Sequence, residues 1–183
     1  MLHARTGRVG ALLLASLLTG CADGADSLAP PRADPLATTP SFTRGSGSTS
    51  ALLGRTTFSD PTDPTFKVKR ITGDWHVEIK SKPAFDLAVQ RIDFPAGSHS
   101  GWHRHPGPVF IQVVSGTMTF YESDDPTCTP IVRSAGQGYL DAGDHAHIAR
   151  NESGVPAQNV VTYFAPPGAD LRIDAPAPGN CPF

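Results

Sequence analysis

The chain has 183 residues, with 15 Lys and Arg against 17 Asp and Glu and a formal net charge of −2. That balance offers no basic surface for nucleic acid. The length allows one compact domain once any processing and linker segments are set aside.

At the N-terminus, Arg5 and Arg8 precede an apolar run from Val9 to Leu18 that is too short to span a bilayer stably. Leu18-Thr19-Gly20-Cys21 then supplies a small-residue cleavage site. Residues 1–20 therefore read as a secretory signal peptide. The Leu-Thr-Gly-Cys ending resembles the bacterial lipobox, which implies that Cys21 is acylated and becomes the first residue of an exported lipoprotein. The resemblance implies contact with the membrane through the lipid anchor only, with the chain facing the periplasm or the cell exterior. Losing Arg5 and Arg8 leaves 13 basic residues against 17 acidic ones, near −4. Residues 21–60 are rich in Ala, Pro, Ser, Thr and Gly with no sustained apolar period, so they are expected to be a flexible linker.

From residue 61 to 175 the pattern changes to short β-branched and aromatic runs: 65–71, 74–80, 85–94, 109–114, 117–122, 138–142, 145–151 and 158–165. Turn residues separate them, among them Pro95-Ala96-Gly97, Ser115-Gly116 and Ala142-Gly143. No segment carries a helical stripe. Many short strands with close turns predict an all-β, closed or sandwiched antiparallel domain.

Cys128 in "DDPTCTP" and Cys181 in "PGNCPF" both lie in turn-forming sequence of an exported chain. They are expected to form a disulfide that clips the tail, residues 176–183, to the domain. Closing a loop of this length is worth roughly 4 kcal/mol on the chain-entropy account. The rival use of these thiols as metal ligands finds no His near either Cys in sequence.

Five of the seven histidines fall in two windows: His99, His103 and His105 in one, His145 and His147 in the other. Residues two apart on a strand share a face, so each His-x-His pair can point into one interior. Imidazoles suit first-row transition ions, so iron, zinc, manganese, nickel or copper is the expected guest. His99 and His145 are also candidates for proton transfer, because an unperturbed imidazole titrates near neutrality. Arg91 and Arg150 are candidates for holding a carboxylate, and Trp102 and Tyr139 for pocket walls.

"GSHSGWHRHPGPVFIQVVSG" (97–116) resembles the first motif of the cupins, with Gly97, His103, His105 and Gly116 in the family's places. "GDHAHIARN" (143–151) resembles the end of the second motif, with His147 and Asn151 matching. The resemblance covers roughly residues 65–175 and is nearest to small secreted bacterial cupins with a "GWHxHPGP" opening and an "HxARN" second motif. It implies a single-domain cupin β-barrel, a double-stranded β-helix of jelly-roll type, holding a metal on His103, His105 and His147. Two departures stand out. Val109 occupies the place of the family's carboxylate ligand. In the second motif the interval from Gly143 to His147 is one residue longer, and Asp141 stands where Pro is usual. His145 and Gln112 are therefore expected as alternative or additional ligands.

Three neutral imidazoles leave a divalent ion its full charge, which favours a small anionic ligand. The resemblance implies dioxygenation or isomerisation as reaction types. A non-enzymatic metal or small-ligand binding module tethered to the envelope is the alternative, supported by Val109. A purely structural lipoprotein is a third reading and predicts no metal. Either a monomer or a homodimer suits the barrel.

Overall fold

The structure, a computed structural model of the chain, describes residues 42–59, 65–69, 76–80 and 84–183. The expected signal peptide, Cys21 and the expected linker as far as residue 41 lie outside these residues. The strands in chain order are β1 (Thr49–Phe58), β2 (Thr65–Lys69), β3 (His76–Lys80), β4 (Phe85–Phe94), β5 (His103–Arg104) and β6 (Val109–Ser115). They continue with β7 (Thr117–Glu122), β8 (Ile131–Ser134), β9 (Gly138–Asp141), β10 (His147–Arg150), β11 (Ala157–Ala165) and β12 (Ile173–Asp174).

One antiparallel sheet has the order β1-β4-β11-β6-β9, a second β12-β5-β10-β7-β8, and β2 and β3 pair as a separate hairpin. From β4 to β11 the chain passes back and forth between the two five-stranded sheets, so β4, β11, β6 and β9 face β5, β10, β7 and β8. This is jelly-roll order, the all-β architecture of a double-stranded β-helix.

Alternation along the strands decides what the sheets enclose. On β6, Val109, Ile111 and Val113 are buried while Phe110, Gln112 and Val114 are exposed. On β11 the buried set is Ala157, Asn159, Val161, Tyr163 and Ala165. Val109, Ile111, Val113, Ala157, Val161 and Tyr163 of these meet Met118 and Phe120 of β7, Tyr139 of β9 and Ala149 of β10 in the core between the sheets. A second cluster of Trp102, Tyr121, Ile148 and Ala175 has Cys128 and Cys181 packed against it. The two cysteines are joined in a disulfide, with their Cα atoms 5.3 Å apart. The tail is thus part of the packed body, with Asn180 donating to the carbonyls of Glu122 and Asp125 at 2.9 and 2.5 Å. The domain does not stop at residue 175.

It also starts earlier than residue 61. Thr49–Phe58, expected as linker, pairs with β4 from Thr49↔Asp93 to Phe58↔Phe85. Its sequence, TSALLGRTTF, reads as linker because an edge strand needs little apolar patterning, and almost all of it is solvent-facing. The pairing is fixed instead by polar contacts. The buried Asp86 carboxylate accepts from Thr57 Oγ1 at 2.5 Å, Arg55 Nε at 2.6 Å and the Gly168 amide at 2.9 Å. The Thr57 and Gly168 bonds, together with Arg55, hold the Asp86 carboxyl down to about 2.

The chain ahead of β1 continues as an arm. Ser46 exchanges backbone hydrogen bonds with His99 at 2.9 and 3.0 Å, and Thr43 Oγ1 accepts from the Trp102 amide at 2.8 Å. Gly101 sits beneath it at φ 70°, where a Cβ would fall 2.1 Å from the Thr43 carbonyl oxygen. Only glycine meets both the left-handed backbone and the close approach.

Candidate metal centre

His103 lies on β5, His105 just after it and His147 at the start of β10, where it pairs directly with His103. All three are buried, and one ring nitrogen from each lies within 4.8 Å of the others. Their ring centroids are 4.6 to 5.1 Å apart. The expected parity holds here, since Arg104 between the first two is exposed.

The surroundings of the rings decide which nitrogen is available. His103 Nδ1 donates to the Gly101 carbonyl at 2.9 Å and His105 Nδ1 to the Leu171 carbonyl at 2.6 Å. A carbonyl can only accept, so both Nδ1 atoms carry hydrogen and both Nε2 atoms keep a lone pair. His147 Nδ1 lies 3.2 Å from Asp141 Oδ2, which also stands 3.8 Å from His105 Nε2. That contact is close without being aligned as a hydrogen bond, leaving Asp141 Oδ2 and His147 Nδ1 as buried polar atoms without a formal partner. Outer groups of this kind orient metal-binding imidazoles.

Burial also keeps His103 and His105 neutral. It pushes the His103 imidazole well below its ordinary value, helped by the neighbouring His147, His105 and Arg172. Burial and His147 bring His105 down to about 4. Neutral imidazoles with convergent lone pairs are the donor set a divalent transition ion requires. Burial would raise the Asp141 carboxyl, but the His147 contact and the Gly143 amide outweigh it and hold the group below its ordinary value.

Asp141 revises the reading of Val109. Val109 on β6 is paired directly opposite Asp141 on β9, and both are buried. Directly opposed residues of an antiparallel ladder share a face. A buried carboxylate therefore stands beside the imidazoles from β9, next to His147 Nδ1, although it is not one of the three converging groups.

The other expected site residues lie elsewhere. His145 is not a fourth imidazole of the cluster: β10 begins only at His147, so the two-residue parity does not reach back to it. Its Nε2 is 2.5 Å from Glu122 Oε2 and its Nδ1 2.7 Å from Asp144 Oδ1. Partial burial opposes charge on His145, yet Glu122 and Asp144 raise its pKa. Gln112 is on the outward face of β6 and cannot be a ligand. His99 serves the arm, its Nδ1 accepting from the Gly101 amide at 3.1 Å. Burial, followed by the charge of Arg150, lowers its pKa. Arg91 pairs with Asp93 at 3.2 Å on the surface. Arg150 pairs with Glu152 at 2.9 Å and stacks on Phe183, 3.9 Å from the ring centroid. Trp102 belongs to the second cluster and Tyr139 to the core, stacked on Phe120 and bonded to Glu122.

Beside the imidazoles lies a cavity of about 310 Å³, open at one side, with His103 and His105 on its wall. It is walled by the arm and the start of β1, by Gln90, Ile92 and Phe94 of β4, and by Tyr163 and Arg172. Tyr163 donates to Gln90 Oε1 at 3.0 Å, with its ring 5.3 Å from that of His105. Sequence reasoning missed Asp141 as a site residue, and also Gln90, Tyr163 and Arg172. Arg172 carries no motif and reaches the site only through the β11–β12 connection.

Paired histidines after Gly97 and a third from a later strand, converging inside a jelly-roll barrel, decide the architecture. The fold is that of the cupins. No family description matches the sequence, and no curated protein matches it. Solved structures similar to it include a polyketide cyclase from Streptomyces resistomycificus, at 13% identity over 75% of this chain and 79% of that one, TM-score 0.47. A cupin-like protein from Thermotoga maritima is 15% identical over 50% of this chain and 65% of its own, TM-score 0.44. An uncharacterised double-stranded β-helix protein from Klebsiella pneumoniae is 17% identical over 64% and 88%, TM-score 0.42. These are likenesses of fold.

Proposed function

We propose that this chain is an exported, Cys21-anchored cupin-fold protein that binds a divalent transition metal on His103, His105 and His147 and acts on a small anionic molecule. The observation that carries the reading is the set of three buried imidazoles that each bring one ring nitrogen within 4.8 Å of the others, while the Nδ1 atoms of His103 and His105 donate to backbone carbonyls. When bound there, the ion would supply a Lewis acid with coordination positions left for a ligand and for water or O₂. The chain's own contribution is orientation. Gly101, Leu171 and Asp141 fix the rings, Val109 and Tyr139 exclude water on the core side, and the cavity admits the ligand from the other. Dioxygenation and isomerisation are the reaction classes proposed.

A second reading, a tethered module that holds metal or ligand without turnover, is favoured by one observation. Among the described residues lining the cavity there is no Asp or Glu to move a proton.

The test is elemental analysis of the untagged chain, purified without chelator, beside the His103→Ala/His147→Ala double variant. Near-stoichiometric iron, zinc, manganese, nickel or copper that is lost in the variant is the expected result. No metal in the wild type, and none taken up on reconstitution, would sink the reading.

A further inference from the structure

Every described wall of the cavity is short of negative charge. Ser48, Thr49 and Ser50 from the arm and β1, Ser100 beside the first motif, and Gln90 from β4 offer hydroxyls and an amide. Arg172 is the one Arg or Lys among the described lining residues.

The placement of Arg172 is not incidental to the metal centre. Its neighbour Leu171 gives the carbonyl that holds the His105 ring, and the next residues, Ile173 and Asp174, pair with Arg104 and His103. One short segment therefore both orients the imidazoles and presents a guanidinium to the space beside them. Arg172 Nε donates to Asp174 Oδ1 at 2.6 Å. Among the described residues nothing else engages its Nη groups, which are the donors suited to a planar carboxylate. Gln90 is oriented in the same sense. Because its Oε1 accepts from Tyr163, its Nε2 is the end left to donate.

We propose that Arg172, with Gln90, forms a carboxylate-recognition subsite in this cavity, so that the ligand is a small molecule with a metal-ligating donor at one end and a carboxylate at the other. The volume of about 310 Å³ lies at the lower end of ligand pockets and limits the ligand to the size of a small organic acid. The inference rests on the metal-binding reading, because the far end of the ligand is held by the ion.

The test uses the full chain loaded with Co(II), with binding followed by the cobalt absorption bands. Malate and 2-hydroxyglutarate share the 2-hydroxycarboxylate end of lactate and add a second carboxylate at two distances. At least one of them is expected to bind about tenfold or more tighter than lactate, the size of a charge-assisted hydrogen-bond pair. Arg172→Gln removes that preference with cobalt content unchanged, and Asp174→Ala, which takes away the acceptor and so releases Nε, keeps or strengthens it. Equal binding of the three acids, or a preference that survives in Arg172→Gln, overturns the proposal. If cobalt is not taken up, the metal reading fails, and the subsite is then judged on the metal-free chain. Thermal stabilisation by succinate but not succinamide, abolished in Arg172→Gln, supports it. Equal effects of the two compounds refute it.

Discussion

The metal-free protein is expected to lose stability steeply between pH 7 and pH 4.5. His105 has an ordinary value of 6.5 and is brought down to about 4 in the fold, first by burial. Between those values the unfolded chain binds a proton that the native chain refuses, so stability falls as pH falls. The contribution is intact above 6.5, and taking the pH from 7 to 4.5 removes roughly 2 kcal/mol through His105 alone. His103, also lowered by burial, adds in the same direction. Asp86 does not confuse the window: lowered from 3.8 to about 2, it contributes fully above 3.8 and is lost only as pH falls further. Urea unfolding of chelator-treated protein at the two pH values measures the loss, with His105→Gln as the comparison. The variant should show a pH dependence smaller by about the calculated amount. Indistinguishable pH dependence in the two proteins would refute the account of a buried, neutral His105.

Asp141→Asn keeps an acceptor for the Gly143 amide but removes the charge beside His147, and it should weaken metal affinity by about 10- to 100-fold in chelator competition. An unchanged affinity would mean that Asp141 neither orients His147 nor offsets the ion. Cys181→Ser opens a loop of 53 residues and should cost about 4 kcal/mol of unfolding free energy. Its metal stoichiometry should remain that of the wild type, because the disulfide packs with the Trp102 cluster rather than against the imidazoles. Gly101→Ala places a Cβ against Thr43 at a left-handed φ, and should lower both thermal stability and metal occupancy. Wild-type behaviour of that variant would show that the arm does not hold the first motif.

What sequence could reveal followed the range of the contacts involved. His103 and His105 were legible as ligand candidates because their shared face depends only on parity within one short stretch. The pairing of Cys128 with Cys181 was legible from the expected export and from turn composition. His145 was misread because parity was extended back past the start of β10, where the Gly143–Asp144 turn breaks it. Asp141 showed only as a departure from the expected Pro, since its meaning lies in the ladder partner Val109, 32 positions away in sequence. β1 escaped because an exposed edge strand held by Asp86 has the same Ser, Thr and Gly content as a linker. Arg172 could not be singled out at all, because no local pattern tells an arginine that lines a cavity from one that faces solvent.

The arm ahead of β1 is both chain and wall: Gly45, Ser48, Thr49 and Ser50 border the cavity while Phe42 bridges to Pro176, Thr43 Oγ1 accepts from Trp102 and Ser46 pairs with His99. A pull on the polypeptide ahead of Phe42 is therefore borne first by the Phe42–Pro176 bridge and the Thr43 and Ser46 hydrogen bonds, and only afterwards by the ladder of β1 with β4. Those first bonds are the ones that close the side of the cavity. Mechanical load on the chain ahead of Phe42 would peel the cavity open from its rim, and a ligand seated against the arm would make that peeling harder.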